Sequence, residues 1–217
     1  MKVKISQNVI RRLPRYLRIL RQLEDENISR ISSAEIGKIL GLTASQIRQD
    51  FSCFGEFGQQ GYGYNVKFLM SEIEKILGMK HALKAILVGC GSIGKSLINN
   101  FCFIEHGIEL QAGFDISPLL IGTTINGVPI IDVAHMSGYL RAHEIDLAVL
   151  TVPQNNAVQV ADDLIACGID AFWNFTNVDI VPPYSPVLVE NVHFSDSLLA
   201  LEYFYSEKRC TICKAKM

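Results

Sequence analysis

No apolar run in the 217-residue chain approaches the roughly 20 residues that a membrane-spanning helix needs. No positively charged, then apolar, leader opens it, so no signal peptide is expected. Cysteine is sparse. The six present lack the spacing of a small disulfide scaffold, which points to a reduced, cytoplasmic protein. Repeats and low-complexity tracts are missing. Charged residues make up only 19% against 49% hydrophobic, which excludes global disorder and allows packed cores.

Acid is missing from residues 1–23, where Lys2, Lys4, Arg11, Arg12, Arg15, Arg18 and Arg21 stand unopposed. Residues 1–80 hold 13 Lys/Arg against 8 Asp/Glu, a balance of +5. Residues 81–217 hold 7 against 14, a balance of −7. One-ended positive charge is the footprint of a polyanion binder, although a solvated helix face has the same composition.

The seam falls near Gly78–Leu83, where helical periodicity gives way to the apolar run Ala85-Ile86-Leu87-Val88. Before it, Ile10, Leu13, Leu17, Leu20 and Leu23 recur at helical spacing and predict the apolar stripe of a first helix. Ser32 with Glu35 predicts a capping box, Gly41 a helix end, and Thr43 with Gln46 a second box. Two short helices across a glycine turn are the helix-turn-helix pattern. The stretch Gly58 to Tyr64 then predicts a hairpin wing, and Val66 to Leu77 a closing amphipathic helix. The order is that of a winged helix.

After the seam, strands at 84–88, 109–114, 145–150, 171–175 and 187–189 alternate with helices at 92–103, 132–142, 154–167 and 194–208. Such alternation predicts a parallel sheet covered on both faces, an α/β Rossmann-type domain. The expected organisation is 1–80 winged helix, 81–207 Rossmann domain with a last helix, and 208–217 a flexible tail.

Gly89-Cys90-Gly91-Ser92-Ile93-Gly94 follows a strand and opens a helix. In a dinucleotide site the first glycine turns the chain, the second admits the pyrophosphate, and the third permits helix–strand packing. Asp115 stands where a carboxylate would take the adenosine ribose hydroxyls and repel a 2′-phosphate, so NAD(H) is preferred to NADP(H). The same residues also satisfy the P-loop pattern, in which Lys95 would reach phosphates and Ser96 magnesium. Local pattern leaves both readings open.

Beyond these motifs stand Arg11-Arg12-Leu13-Pro14 with Tyr16, Ser32-Ser33-Ala34-Glu35, Gln46-Ile47-Arg48 with Asp50-Phe51-Ser52, and Phe54-Gly55-Glu56-Phe57-Gly58. Gly61-Tyr62-Gly63-Tyr64, Gly127-Val128-Pro129, Thr151-Val152-Pro153, Asn174-Phe175 and Val189-Glu190-Asn191-Val192 follow in order. With this series the chain resembles the Rex family of redox-sensing transcriptional repressors over residues 8 to 205. The resemblance implies NAD(H) rather than ATP. It also implies a palindromic DNA operator, release by NADH, and a homodimer that exchanges its C-terminal helix.

Carried over by position, the cofactor residues are Gly89, Cys90, Gly91, Ser92, Ile93, Gly94, Asp115, Thr151, Val152, Pro153, Asn174 and Phe175. The DNA-binding residues are Arg11, Arg12, Ser32, Ser33, Ser45, Gln46, Arg48, Gln49, Gln60, Gly61 and Tyr62. The chain departs from the family pattern at Gln49 and Gln60, where basic residues are usual. It departs again in the redox switch, whose arginine is kept as Arg18 while the tyrosine and aspartate positions hold Asn100 and His193.

No metal ligands and no catalytic residues are expected. His81, His106, His135 and His143 share no ligand spacing, and residues 116–205 offer little beyond cofactor packing. Cys90 is expected to be a small filler rather than a sensing thiol, and Cys210 with Cys213 to lie in a frayed tail. Trp173 and Phe175 alternate on a strand, as core residues do.

Overall fold

The computed structural model describes residues 5–55, 57–59, 62–180 and 187–214, with the backbone alone at 58–59 and 210–214. The chain divides into two compact units, Met1–His81 and Ala82–Met217.

The first unit runs α1 (Gln7–Asp25), β1 (Arg30–Ile31), α2 (Ser33–Leu40), α3 (Ala44–Ser52), β2 (Gly58–Gln59), β3 (Gly63–Asn65) and α4 (Val66–Ile76). The strands form a small antiparallel sheet in the order β1-β3-β2. Ser32 and Glu35 close a reciprocal capping box at the start of α2, and Gly41 ends that helix in the left-handed region at φ 68°. Thr43 Oγ1 then accepts the Gln46 N–H and opens α3.

The buried face of α1 is Val9, Leu13, Tyr16, Leu17, Ile19, Leu20 and Leu23. Ile10, expected on that stripe, is instead 39% exposed. A helix turns 100° per residue, so Val9 takes the inward direction and Ile10 lies off its edge.

The second unit runs β4 (Leu83–Val88), α5 (Ser92–Asn100), β5 (Ile108–Asp115), β6 (Thr124–Ile125), β7 (Val128–Asp132), α6 (Met136–Ala142), β8 (Leu147–Leu150), α7 (Gln154–Ala166), β9 (Ala171–Asn174), β10 (Leu188–Asn191) and α8 (Phe194–Lys214). The seven strands lie in the order β10-β9-β8-β4-β5-β7-β6, parallel except for β6. Alternate residues feed opposite faces. Ile86, Val88, Ala148 and Leu150 enter one core, while Leu87 and Val149 enter the other. Each large side chain removed from water here contributes about 1.5–3 kcal/mol before entropy is counted.

Two features of the unit differ from the expected elements. The hairpin of β6 and β7 falls in a stretch read as connection. Its turn is Asn126-Gly127 with both φ values positive, 46° and 82°, the backbone a tight two-residue hairpin requires. The last helix continues to Lys214 rather than ending near 208, so the expected tail at 208–217 is helical backbone for most of its length. Among the described residues, no helix is long and apolar enough to cross a membrane.

Candidate functional site

The strand order places a topological switch at β4, whose neighbours β5 and β8 lead away in opposite directions. A cavity of about 670 Å³ opens there, at the carboxyl ends of the strands. Its wall includes Gly89, Gly91, Ser92, Ile93, Asp115, Thr151, Val152, Pro153 and Phe175, all of them among the expected cofactor residues.

The three glycines do three different things. Gly89 has φ +95°, and a Cβ there would lie 2.8 Å from the Thr151 carbonyl carbon. A Cβ at Gly94 would lie 2.1 Å from the Gly89 oxygen, so this glycine is needed for packing. A Cβ at Gly91 would meet nothing within 4 Å. Gly91 therefore leaves backbone open to the cavity at the head of α5, where the helix N-terminus favours negative charge.

Hydrogen bonds fix the turn from both sides. Thr151 Oγ1 donates to the Gly89 oxygen at 2.6 Å, tying β8 to the turn. The Asp115 carboxylate accepts the Cys90 N–H at 2.6 Å and the Ser117 N–H at 2.8 Å. Its position at the cavity wall is thereby set by backbone.

Lys95 and Ser96 do not line the cavity, and Asn100 Nδ2 donates to the Ser96 oxygen at 3.0 Å on the helix surface. The P-loop reading needs both side chains at the phosphates, so the geometry rejects it.

Three expected residues lie behind the wall. Gly94 packs under the turn. Cys90 is 1% exposed, its sulfur beside Gly113, and burial together with the Asp115 charge pushes its thiol up to about 12. Asn174 is fully buried and spends its amide on other protein groups, so its part is to shape the wall rather than to touch a ligand. Ile116, Val133, Gln154, Asn156, Thr176 and Asn177 line the cavity without having been anticipated. Each follows the end of a parallel strand, which is the signal that finds them once strand ends are known.

In the first unit, Ser45, Arg48 and Gln49 are exposed on α3 with Gln46 partly so. Arg48 Nη1 donates to Ser33 Oγ at 3.1 Å, bringing α3 and the head of α2 together. Arg11 is exposed, and Ser32 is engaged in its cap. Arg12, expected among the DNA-binding residues, gives its guanidinium to Asp50. Arg30 reaches across the wing, donating to the Tyr62 oxygen at 3.2 Å with its guanidinium 5.8 Å from the Tyr62 ring centre. Gln60 and Gly61 lie outside the described residues.

Of the switch positions, Arg18 is exposed on α1 and Asn100 is bonded within α5. His193 stands immediately before α8, with its Nε2 2.7 Å from the Asp179 carboxylate. Among the described residues, no cluster of three or more His, Cys, Asp or Glu could hold a metal. The side chains of Cys210 and Cys213 lie outside the described residues.

Comparison with known proteins matches these two regions to two family models. Residues 4–52 match a putative DNA-binding protein N-terminus, and residues 80–178 match a CoA binding domain. The redox-sensing transcriptional repressor Rex of Clostridium beijerinckii is 50% identical over 203 residues, covering 94% of this chain and 96% of that protein. The Clostridium acetobutylicum Rex is 46% identical, covering 95% and 96%. Among solved structures, RSP in complex with β-NAD⁺ and operator DNA superposes with a TM-score of 0.86 at 42% identity, covering 96% of each chain. RSP in complex with β-NADH gives 0.88 at 40% identity, covering 96% of this chain and 98% of that one. With its basic winged helix, its glycine turn held against Asp115, and this likeness over nearly its full length, the chain belongs to the Rex family of redox-sensing transcriptional repressors.

Proposed function

We propose that the chain represses transcription as a homodimer that binds a palindromic operator in the cytoplasm and responds to the NADH/NAD⁺ ratio. The observation that carries this reading is the Asp115 carboxylate fixed beside the Gly89–Gly94 turn, in a chain whose other unit is a basic winged helix. A carboxylate at the ribose accepts hydroxyl protons and repels phosphate. It therefore selects NAD(H) against the 2′-phosphate of NADP(H), and equally against a ribose phosphorylated at the 3′ position, as in coenzyme A.

The two-fold assembly is supported by α8, which exposes Phe194, Leu198, Leu199, Leu201, Tyr203, Phe204 and Tyr205, each by at least 59%. So much exposed apolar surface on one helix is what exchange between two copies would bury. A two-fold dimer would set one α3 in each of two major-groove half-sites. The proposed DNA-contacting residues are Arg11, Ser33, Ser45, Gln46, Arg48, Gln49 and the wing from Gln60 to Tyr62.

A second reading is favoured by one bond. His193, which stands where the family usually has aspartate, pairs with Asp179 of its own loop. The usual Asp–Arg switch pair is absent at that position, and an altered NADH response follows. Operator affinity measured with saturating NAD⁺, with saturating NADH and without cofactor separates the readings. Release by NADH supports the first; equal affinity in all three states supports the second. Steady NADH turnover would overturn both.

A further inference from the structure

Asn174 and Asn191 are register partners at the carboxyl ends of β9 and β10. Asn174 Nδ2 donates to Asn191 Oδ1 at 2.7 Å and to the Val178 oxygen at 2.8 Å. Its own Oδ1 accepts from the Thr176 N–H at 3.0 Å and from Thr176 Oγ1 at 2.7 Å. Asn191 Oδ1 also accepts the Ile180 N–H at 3.2 Å. The buried Asn174 amide thus closes the loop 175–180 on itself, and the half-buried Asn191 amide closes it against β10.

The loop has two working ends. Phe175, Thr176 and Asn177 form cavity wall at one end. At the other, Asp179 holds His193, and His193 is the residue before α8. The Phe175 ring also stands 6.2 Å from that of Phe194, the first residue of the helix. A loop so fully bonded cannot yield at one end alone. A displacement of its cavity wall must either break hydrogen bonds of this loop or move the start of α8.

We propose that Asn174, Thr176 and Asn191 are positioning residues that form a clasp carrying occupancy of the cofactor cavity to the start of α8. The inference rests on NAD(H) being the occupant of that cavity. The clasp lies within one chain and acts through hydrogen bonds; of the three switch positions it ends on His193 and uses neither Arg18 nor Asn100.

The test is amide hydrogen exchange at residues 192–197 of the full-length protein, with and without NADH, beside NADH affinity by fluorescence titration. In the wild type, NADH slows exchange there. In Asn191→Ala the cofactor-induced slowing falls by about ten-fold or more, the scale of losing the two part-buried bonds that Asn191 Oδ1 accepts, while NADH affinity stays within about three-fold. Asn191→Asp keeps an acceptor oxygen for both donors and restores the slowing. A merely structural role would change basal exchange in all states and leave the cofactor-induced difference intact.

Asn191→Ala slowing as the wild type does overturns the clasp, as does Asn191→Asp behaving like Asn191→Ala. Should Asn191→Ala fail to fold, the pair Thr176→Val and Thr176→Ser makes the same comparison, with affinity measured for each. Slowing lost in the valine variant and kept in the serine variant supports the clasp; slowing equal in both overturns it. A wild type that binds no NADH overturns the dinucleotide reading, and the clasp falls with it. NADH binding with unaltered transmission in the variants overturns the clasp alone.

Discussion

Arg12 on α1 grips Asp50 on α3 with two parallel hydrogen bonds, Nε to Oδ2 at 2.6 Å and Nη2 to Oδ1 at 2.7 Å, while Tyr16 donates to the same carboxylate at 2.5 Å. Asp50 is 2% exposed, so its charge is balanced by these partners rather than by water. Hydrogen bonding to Asp50 raises the Arg12 pKa above its ordinary value, and burial followed by the bond to Asp50 raises that of Tyr16. The helix that would read DNA is therefore bolted to the helix behind it.

Replacing Asp50 by Ala strands a guanidinium and a phenol, and the first unit is expected to lose about 3 kcal/mol. The lower end of the usual range applies because the Arg12 side chain keeps 20% of its exposure. Tyr16→Phe removes one bond to a charged group and costs about 1.5–2 kcal/mol. Thermal melts of the two variants check the order. Asp50→Ala melting with the wild type would show that the bolt contributes nothing.

Asp115→Ala removes both the acceptor for the Cys90 and Ser117 N–H groups and the charge proposed to face the ribose. NADH affinity is expected to fall by roughly ten-fold or more, the scale of one lost charge-assisted interaction. NADPH affinity should fall less or rise, because the repulsion of its 2′-phosphate goes too. Parallel fluorescence titrations with the two cofactors give the ratio. An unchanged NADH/NADPH preference places discrimination elsewhere.

Gly94→Ala sets a methyl 2.1 Å from the Gly89 oxygen and 2.8 Å from Thr151 Oγ1. Backbone must move, so the turn loses its shape and cofactor binding is expected to vanish. Gly91→Ala meets no protein atom and should fold normally, with any loss confined to ligand affinity. Circular dichroism melts paired with NADH titration separate the two outcomes.

The His193 pKa is raised by its hydrogen bond to Asp179, with the charges of Asp179 and Asp196 adding to it. A raised folded-state pKa means that protonated His193 binds better in the folded protein. Its contribution is fully present below the unfolded pKa of about 6.5 and is lost as pH rises through the higher folded value. Wild-type stability should therefore decline across this window, and His193→Gln should flatten that decline. Melting temperatures of both proteins from pH 6 to pH 8.5 test the sign. A parallel decline in the variant assigns the slope to other groups.

With its thiol pushed up to about 12 and 1% exposed, Cys90 carries almost no thiolate at neutral pH. Iodoacetamide should leave it unmodified in the native protein and alkylate it after denaturation, as peptide mass mapping will read. Rapid native labelling at Cys90 would restore the case for a sensing thiol.

Elements whose signal is local were legible in the chain. Ser32 with Glu35, Gly41 and Thr43 act on backbone within a few residues of themselves, so their caps follow from spacing. The β6–β7 hairpin was equally local through Asn126-Gly127 but was hidden because its first strand, β6, is only two residues long. Ile10 satisfied the apolar period and lost its place to Val9, because period fixes a face while packing fixes its edge. Asn174 and Phe175 stood side by side in sequence and both are buried, yet only Phe175, the first residue past the end of β9, reaches the cavity wall, while the Asn174 amide is spent on other protein groups.

The sequence by itself determined the two-part organisation of charge and period, the glycine turn and the carboxylate beyond it. Those depend on residue type and short spacing. Between dinucleotide and P-loop the local glycine pattern was undecided; the family resemblance favoured the dinucleotide, and the tertiary structure agrees by keeping Lys95 and Ser96 off the cavity. Tertiary structure alone joined Arg12 to Asp50, 38 residues apart, and His193 to Asp179. The physical reason is that a buried charge or amide takes its partner from whatever the fold brings within 3 Å, and no local spacing records that choice.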